Sequence, residues 1–272
     1  MTPPSRTWRA ALCLAAATIA CFTTPVAAGG PPAPRSQIKT IDLSGPFATR
    51  SAWRLTATRA PPIDDPVGQS GEEPGAIDLC LRRSASEPCD PQLQRTVGAA
   101  SDNDVYASPH FLRDAEVVHG AAGRPLLLVQ TASIYSGDGD QLVFTQVLAY
   151  DHAADRFLRA YGRLTGKNNN QEVRFIRTGP LTGDVISAEP TQNAPFGFWI
   201  SVNKLGGALR YEEVLRFRSA TRYGDGNPLS VIDSEMPNIQ SRLGLWRPGS
   251  PTPLPASVCP APRLIRMELW CR

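Results

Sequence analysis

Hydrophobic positions in this chain alternate with polar ones in short runs, which is the period-two pattern of β-strands. Two runs, LLLVQTAS (126–133) and LVFTQVLAY (142–150), are apolar at nearly every position. Such runs are typical of central strands that are buried on both faces. DHAAD (151–155) then leads into RFLRAYGR, which predicts a hairpin with a five-residue connection.

Similar runs, each bounded by Gly, Pro, Asn or Asp, occur on both sides of this centre. They are QIKTIDL, AWRLTAT, AIDLCLRR, QEVRFIRT, DVISAE, GFWISVN, LRYEEVLRFRS, PLSVID and IQSRLGLW. Only 90–100 and the stretch 111–118 have a weak helical pattern. We therefore expect an all-β fold with little or no helix after the N-terminal leader.

Short antiparallel strands at this spacing are typical of sandwiches, barrels and propellers. Within 184–219, successive strands follow one another as in the meander of a propeller blade, and 126–163 has a similar spacing. We therefore predict antiparallel meander strands in a propeller-like arrangement, with a β-sandwich as the alternative.

Prolines mark two segments outside this pattern. GGPPAPRS (29–36) is a Pro-rich lead-in, and 247–262 carries six prolines between Pro248 and Pro262. Because proline cannot donate to a strand ladder, we expect the second segment to be an extended Pro-rich strap before a C-terminal strand. No change in composition divides the remainder, which predicts one all-β domain over 37–272.

The first residues have the pattern of a secretory signal peptide. Arg6 and Arg9 precede an apolar stretch (10–22), and Val26 and Ala28 occupy the −3 and −1 positions of a cleavage site. This predicts a signal peptide over 1–28 and a mature chain that begins at Gly29. The destination is then the bacterial periplasm or the extracellular space.

A lipoprotein signal is the alternative, because ATIAC places Cys21 where it could be lipidated and anchor the chain. The apolar stretch is too short to span about 30 Å of hydrocarbon as a helix. No later run is long and apolar enough either, so we expect no transmembrane segment in the mature chain.

The charge balance of the mature chain is nearly neutral. After removal of Arg6 and Arg9 with the leader, the mature chain has 26 basic and 25 acidic side chains. Binding to nucleic acid depends on clustered positive charge, so this balance does not favour a nucleic-acid partner. A small ligand or an envelope protein is the expected partner class.

Four cysteines remain after cleavage at Gly29, namely Cys80, Cys89, Cys259 and Cys271. An even number in an exported chain predicts two disulfides, with three connectivities. RRSASEP can turn the chain back between Cys80 and Cys89. Cys259 and Cys271 flank RLIRMELW, whose alternation predicts a strand too long for a disulfide between its ends. Either that segment bends or the bonds cross between the two regions.

RYGDGNPLSVIDSE (222–235) places oxygen ligands that suit calcium close together, at Asp225, Asn227, Asp233 and Glu235. Their spacing fits no EF-hand, and Asp-Gly and Asn-Pro are strong turn signals. A turn is the favoured interpretation. No cofactor is expected, with Ca²⁺ at these four residues as the alternative.

Candidate catalytic residues are carboxylates rather than histidines. Asp184 and Glu189 flank an apolar strand, and Glu213 shares a strand face with Tyr211 and Leu215. A carboxylate on an apolar face is ion-paired, protonated or functional. An ion pair with an arginine is the favoured interpretation of these carboxylates. The catalytic alternative is that two of them act as a pair, as in a glycosidase. The nucleophile elbow G-x-S-x-G does not occur.

APFGFWIS places Phe196, Phe198 and Trp199 beside a loop, as a face that stacks on ligands would. Aromatic residues in strands more often fill the core. We therefore carry two hypotheses. The first is an exported, disulfide-bonded β-protein that binds a ligand or protein partner without catalysis. The second is a carbohydrate-active hydrolase that uses two carboxylates.

Overall fold

Strands are the main secondary structure of the described residues, and all their strand pairs are antiparallel. The predicted all-β class is therefore confirmed. The computed structural model describes residues 34–64, 71–90, 93, 109–137, 139–166, 171–219, 221, 226–254 and 258–271.

The N-terminal sheet has three strands in the order β1-β2-β5. Its strands are β1 (Ser36–Asp42), β2 (Arg54–Arg59) and β5 (Ile77–Arg82). The four-residue helix α1 (Ser44–Phe47) lies between β1 and β2. A separate short pair, β3 (Ile63–Asp64) with β4 (Glu72–Glu73), lies in the connection from β2 to β5.

The central sheet is a four-stranded meander in the order β6-β7-β8-β9. Its strands are β6 (Phe111–His119), β7 (Pro125–Ala132), β8 (Leu142–Asp151) and β9 (Arg156–Gly166). A 3₁₀ turn at Ala121–Gly123 joins β6 to β7. The predicted hairpin at 151–155 is confirmed.

A third sheet is a second four-stranded meander, in the order β10-β11-β12-β13. Its strands are β10 (Glu172–Phe175), β11 (Val185–Pro190), β12 (Phe198–Leu205) and β13 (Tyr211–Arg218). A propeller is built from such sheets, but the strands of the described residues form no closed propeller or barrel. The meander is confirmed.

The three sheets stack as layers through shared apolar clusters. One face of the central sheet packs on the N-terminal sheet, where Leu148 and Phe157 belong to the same buried cluster as Leu55 and Leu81. Its other face packs on the third sheet, through a cluster that includes Val185. Burial on both faces explains why β7 and β8 are apolar throughout.

Two strand predictions near the C-terminus are wrong. Half of PLSVID and half of IQSRLGLW lie in a twelve-residue helix, α2 (Val231–Arg242), which packs on the outer face of the third sheet, and neither segment forms a strand. Ile232, Met236 and Ile239 recur at helical spacing and are buried there. Pro237 inside the helix disfavours it locally, and this tertiary packing overrides that preference.

One helix prediction is also wrong, because 111–118 lies in β6. Pairing with β7 along Phe111–His119 satisfies its backbone groups and decides its conformation. The second helical candidate, 90–100, lies outside the described residues apart from Asp90 and Leu93.

Two disulfides join the four cysteines of the described residues. Cys80 pairs with Cys89 and Cys259 with Cys271, at Cα–Cα distances of 4.9 and 5.8 Å. Of the two alternatives for the C-terminal segment, the bend is the one observed, because a hairpin of β14 (Arg263–Ile265) and β15 (Glu268–Trp270) replaces one continuous strand and turns the chain back. That turn brings the two distant cysteines together.

Within the described ranges, the structure has no helix that combines the length and the apolar composition needed to cross a bilayer.

Candidate functional site

A groove with a volume of about 560 Å³ is enclosed by three parts of the chain. They are α2, the Pro-rich strap, and the segment 174–181, which runs from the end of β10 into the next turn. Its lining is mostly apolar. The apolar side chains include Leu181, Met236, Trp246, Pro251 and Val258. We call this cavity the strap groove.

The strap that covers the groove is fixed at both ends. Trp246 Nε1 donates a hydrogen bond of 2.9 Å to the carbonyl oxygen of Pro251. The Cys259–Cys271 disulfide ties the far end of the strap to the terminal hairpin. Ser234 Oγ of α2 donates to the carbonyl oxygen of Leu269 in that hairpin, at 3.0 Å. The groove is therefore held by the helix, the strap and the hairpin together.

One edge of the groove is charged, but its charges are engaged with one another. Arg174 forms ion pairs with Asp233 and with Glu172, the latter at 2.7 Å. Ser230 Oγ also donates to Asp233, at 2.8 Å. Burial raises the pKa of Glu172 above its usual range, and the nearby Arg174 opposes this shift. The network therefore offers a structural anchor rather than a separate acid and base.

The residues predicted for calcium have different partners in the structure. Asp225 lies outside the described residues. Asn227 Nδ2 donates to Leu269 O at 2.8 Å, whereas buried Glu235 accepts from Thr221 Oγ1 at 2.7 Å. Asp233 and Glu235 are two positions apart in a helix, so they lie on different faces.

No group of three or more His, Cys, Asp or Glu side chains with metal-binding geometry occurs in the part of the chain that the structure describes. The calcium hypothesis therefore gains no support from Asn227, Asp233 and Glu235.

Two of the three predicted catalytic carboxylates have polar partners. Glu189 is ion-paired with Arg163 of β9, the arginine partner that we favoured for these carboxylates. Glu213 accepts a hydrogen bond of 2.8 Å from Ser201 Oγ, and it lies opposite Asn203 on the neighbouring strand.

Asp184 differs from both, because it is 5% exposed and its carboxylate has no hydrogen-bond partner or ion pair among the described residues. Burial raises the pKa of Asp184 to about 6, and Lys204 opposes this shift. It lines a second cavity, of about 400 Å³, together with Arg124 and Lys204. We call this cavity the Asp184 cleft.

Asp184 and Glu189 do not form a glycosidase pair. Five residues separate them along an extended chain, so their Cα atoms are about 16 Å apart and their side chains point to opposite faces. Glycosidases need carboxyl groups about 5–10 Å apart in one cleft. The hydrolase hypothesis therefore gains no support from this pair.

The three predicted aromatic residues separate into one core residue and two exposed ones. Phe198 is buried at 1% exposure, whereas Phe196 and Trp199 are 66% and 37% exposed. The Arg216 guanidinium lies 5.0 Å from the centre of the Trp199 ring. Phe196 lies in the loop before β12 and Trp199 lies in β12, and neither lines the strap groove.

Sequence reasoning missed the strap groove because it assigned strands to 228–233 and 239–246. The signal was present in the helical spacing of Val231, Ile232, Met236 and Ile239. The Asp184 cleft could not be found from local pattern, because the loop after β6 supplies its opposite wall.

No protein-family model matches this chain, and neither does any curated protein or any solved structure. Function is therefore inferred from the geometry of the chain itself.

Proposed function

We propose that this chain is an exported binding protein, without catalysis, that holds a small apolar ligand in the strap groove. The observation that carries the proposal is the groove itself, because it combines a ligand-sized volume with a largely apolar lining. Ligand pockets of soluble proteins commonly have volumes of about 300–1,000 Å³ and mostly apolar walls.

The leader and the disulfides support export. Arg6, Arg9 and the apolar stretch that follows have the order of a signal peptide. Two disulfides are typical of proteins from oxidising compartments. The proposed location is the bacterial periplasm or the extracellular space, with lipid anchoring at Cys21 as the alternative.

The chemistry of the lining selects an apolar ligand. Leu181, Met236, Trp246 and Val258 offer carbon surface, and water displaced from such surface favours binding by about 25 cal/mol per Å² buried. The charged groups in the lining are already ion-paired, Arg174 with Asp233 and Arg177 with Glu116. A charged ligand would have to compete with those ion pairs.

Fluorescence titration of the mature chain with Nile red, a neutral apolar dye, tests the proposal. We expect saturable binding at one site. Val258→Asp should weaken it at least about tenfold, because the ligand would then bury an unpaired charge. Val258 is 45% exposed, so the substitution leaves the core intact.

Val214→Asp is the matched control, since Val214 is 49% exposed and lies on β13, outside the groove lining. Its affinity for the dye should stay within about twofold of the parent chain. Equal losses in the two variants, or no loss in Val258→Asp, would place the dye elsewhere and overturn the proposal.

A further inference from the structure

The Asp184 cleft is a second cavity, separate from the strap groove. It lies where the turn from β6 to β7, the start of β11 and the turn from β12 to β13 meet. Its side-chain lining consists of Ala121, Ala122, Arg124, Asp184, Lys204 and Leu205. The rest of its wall is glycine backbone.

Close backbone packing fixes the floor of the cleft. Gly183 has φ +89°, and a Cβ atom at that position would lie 2.5 Å from the Cα of Gly120. Tyr211 donates a hydrogen bond of 2.7 Å to the carbonyl oxygen of Gly183. The backbone at Gly183 is therefore held against the backbone at Gly120. Asp184 is the next residue in the chain, so its position in the cleft is fixed by this contact.

Three charged side chains line the cleft without pairing. Among the described residues, Asp184, Lys204 and Arg124 take part in no ion pair within 4 Å, although all three line one cavity. Asp184 and Lys204 are cross-strand neighbours, next to the Val185–Asn203 pair. Asp184 is 5% exposed, and its carboxylate has no hydrogen-bond or ion-pair partner among the described residues, so a charged group placed in this way in a cavity points to a ligand.

We propose that the Asp184 cleft binds a free α-amino acid with an aliphatic side chain. The ligand's ammonium group pairs with Asp184, and its carboxylate pairs with Lys204 and Arg124. This proposal concerns a site distinct from the strap groove, so its outcome does not depend on whether the groove binds Nile red.

The charges of the cleft favour a zwitterion over a simple ion. A ligand that carries only an amine would meet the two cations, Lys204 and Arg124, which together outweigh Asp184. A simple anion would face the buried carboxylate. A molecule with both charges, on adjacent groups, pairs with all three side chains.

The apolar part of the lining selects the side chain of the ligand. Ala121, Ala122 and Leu205 complete the wall, and they favour contact with carbon rather than with another charge. A cavity of about 400 Å³ has room for an amino acid of the size of leucine.

Isothermal titration of the mature chain with L-leucine at pH 7.5 tests the proposal. N-acetyl-L-leucine lacks the ammonium group, and L-leucinamide lacks the carboxylate. Each should bind about tenfold to a hundredfold more weakly than L-leucine, because each loses a charge-assisted contact.

Variants connect the binding to the cleft. Asp184→Asn keeps the shape of the side chain, and Lys204→Gln removes one cation. Each should weaken L-leucine binding at least about tenfold. The matched controls, Asp64→Asn and Lys39→Gln, make the same changes on exposed strand residues outside the cleft and should change the affinity less than about twofold. Thermal unfolding of each variant verifies that it is folded.

The pH dependence gives an independent readout. The elements around the cleft carry other titratable or charged groups, namely His119, Arg124, Lys204, Arg210, Tyr211 and Glu212. Since the pKa of Asp184 is about 6, its ionised fraction falls to about one tenth between pH 7.5 and pH 5. L-leucine stays zwitterionic over this range. Its affinity should therefore fall about tenfold, and Asp184→Asn should abolish this change.

Three results would overturn the proposal. Binding of L-leucinamide as tight as that of L-leucine would indicate an amine site, and equally tight N-acetyl-L-leucine would indicate an anion site. The third result is the absence of both a heat of binding and a thermal shift with L-leucine at about 10 mM, a concentration high enough to detect even a weak specific site. It would show that the cleft binds no amino acid of this kind.

Discussion

Two aspartates show how the surroundings of a single residue decide its contribution to stability. Asp155 accepts hydrogen bonds from Ser51 Oγ at 2.6 Å and Trp53 Nε1 at 3.0 Å, and also from Tyr150. The hydrogen bonds from Ser51 and Tyr150 contribute most to lowering the pKa of Asp155, which is about 2. Asp184 has no such donors, and burial raises its pKa to about 6. One carboxylate therefore stabilises the folded chain in its charged form, and the other opposes folding.

The two aspartates predict opposite pH dependences for their asparagine variants. Between about pH 4 and 6, folded Asp184 binds more protons than the unfolded chain does, so its contribution to stability falls as the pH rises. Asp184→Asn should therefore raise the free energy of unfolding at pH 7.5 by about 1–2 kcal/mol, because solvent in the open cleft screens part of the charge, and should change it little below pH 4.

Asp155→Asn should have the opposite sign. The stabilisation from Asp155 is present above the unfolded pKa near 4 and is lost as the pH falls through about 2. This variant should therefore lose stability at neutral pH. Urea unfolding at pH 3, 5 and 7.5 measures both variants, and a destabilised Asp184→Asn at pH 7.5 would contradict the argument.

At the scale of elements, α2 and the terminal hairpin depend on one another. Asn227 and Ser234 donate to the carbonyl oxygen of Leu269, and β15 packs on the helix. The Cys259–Cys271 disulfide closes the segment that contains the hairpin. The strap groove therefore exists only when helix, hairpin and strap are all in place.

Replacing each disulfide by a serine pair separates stability from groove geometry. The two bonds close loops of similar length, with sequence separations of 9 and 12, so each should contribute about 3 kcal/mol to stability. Cys259→Ser with Cys271→Ser should also weaken Nile red binding about tenfold, because the strap is released.

Cys80→Ser with Cys89→Ser is the matched control for that change. This disulfide joins β5 to the segment after it, far in sequence from the strap, so dye binding should persist. Urea unfolding gives the stability and dye titration gives the affinity. Equal effects on dye binding would show that general destabilisation, not the strap, controls the groove.

The described part of the molecule is built on a stack of its three larger antiparallel sheets, with α2 on the outer face of the third, and it also contains two two-stranded pairs. The central sheet is buried from both sides and joins the layers. The strap groove lies at the helical end of this stack, and the Asp184 cleft lies where the central and third sheets meet. The two proposed binding sites therefore lie on different layers of one scaffold.

Export of this molecule has a direct test at the level of the whole chain. The mature protein should begin at Gly29 and contain no free thiol, since its four cysteines are paired. Intact-mass measurement after alkylation without reductant checks both. A mass that begins at Met1, a lipidated Cys21, or two alkylated cysteines would contradict the expectation.

The alternation of apolar and polar residues by itself determined the antiparallel strands and the all-β class. Period-two alternation and continuous apolar runs are both local properties, so β7, β8 and the hairpin at 151–155 could be recognised from adjacent residues. The even number of cysteines likewise indicated disulfides. Asp184 was recognised as a candidate, but only as one carboxylate among several.

Tertiary structure alone decided the rest, because it depends on contacts between distant residues. Packing on the third sheet made 231–242 a helix, although β-branched Val231 and Ile232 and the internal Pro237 suit other conformations. The turn at Arg266 and Met267, both at positive φ, brought Cys259 to Cys271. A loop about sixty residues earlier supplied the far wall of the Asp184 cleft. Burial and charge environment, and hence function, follow from these long-range contacts.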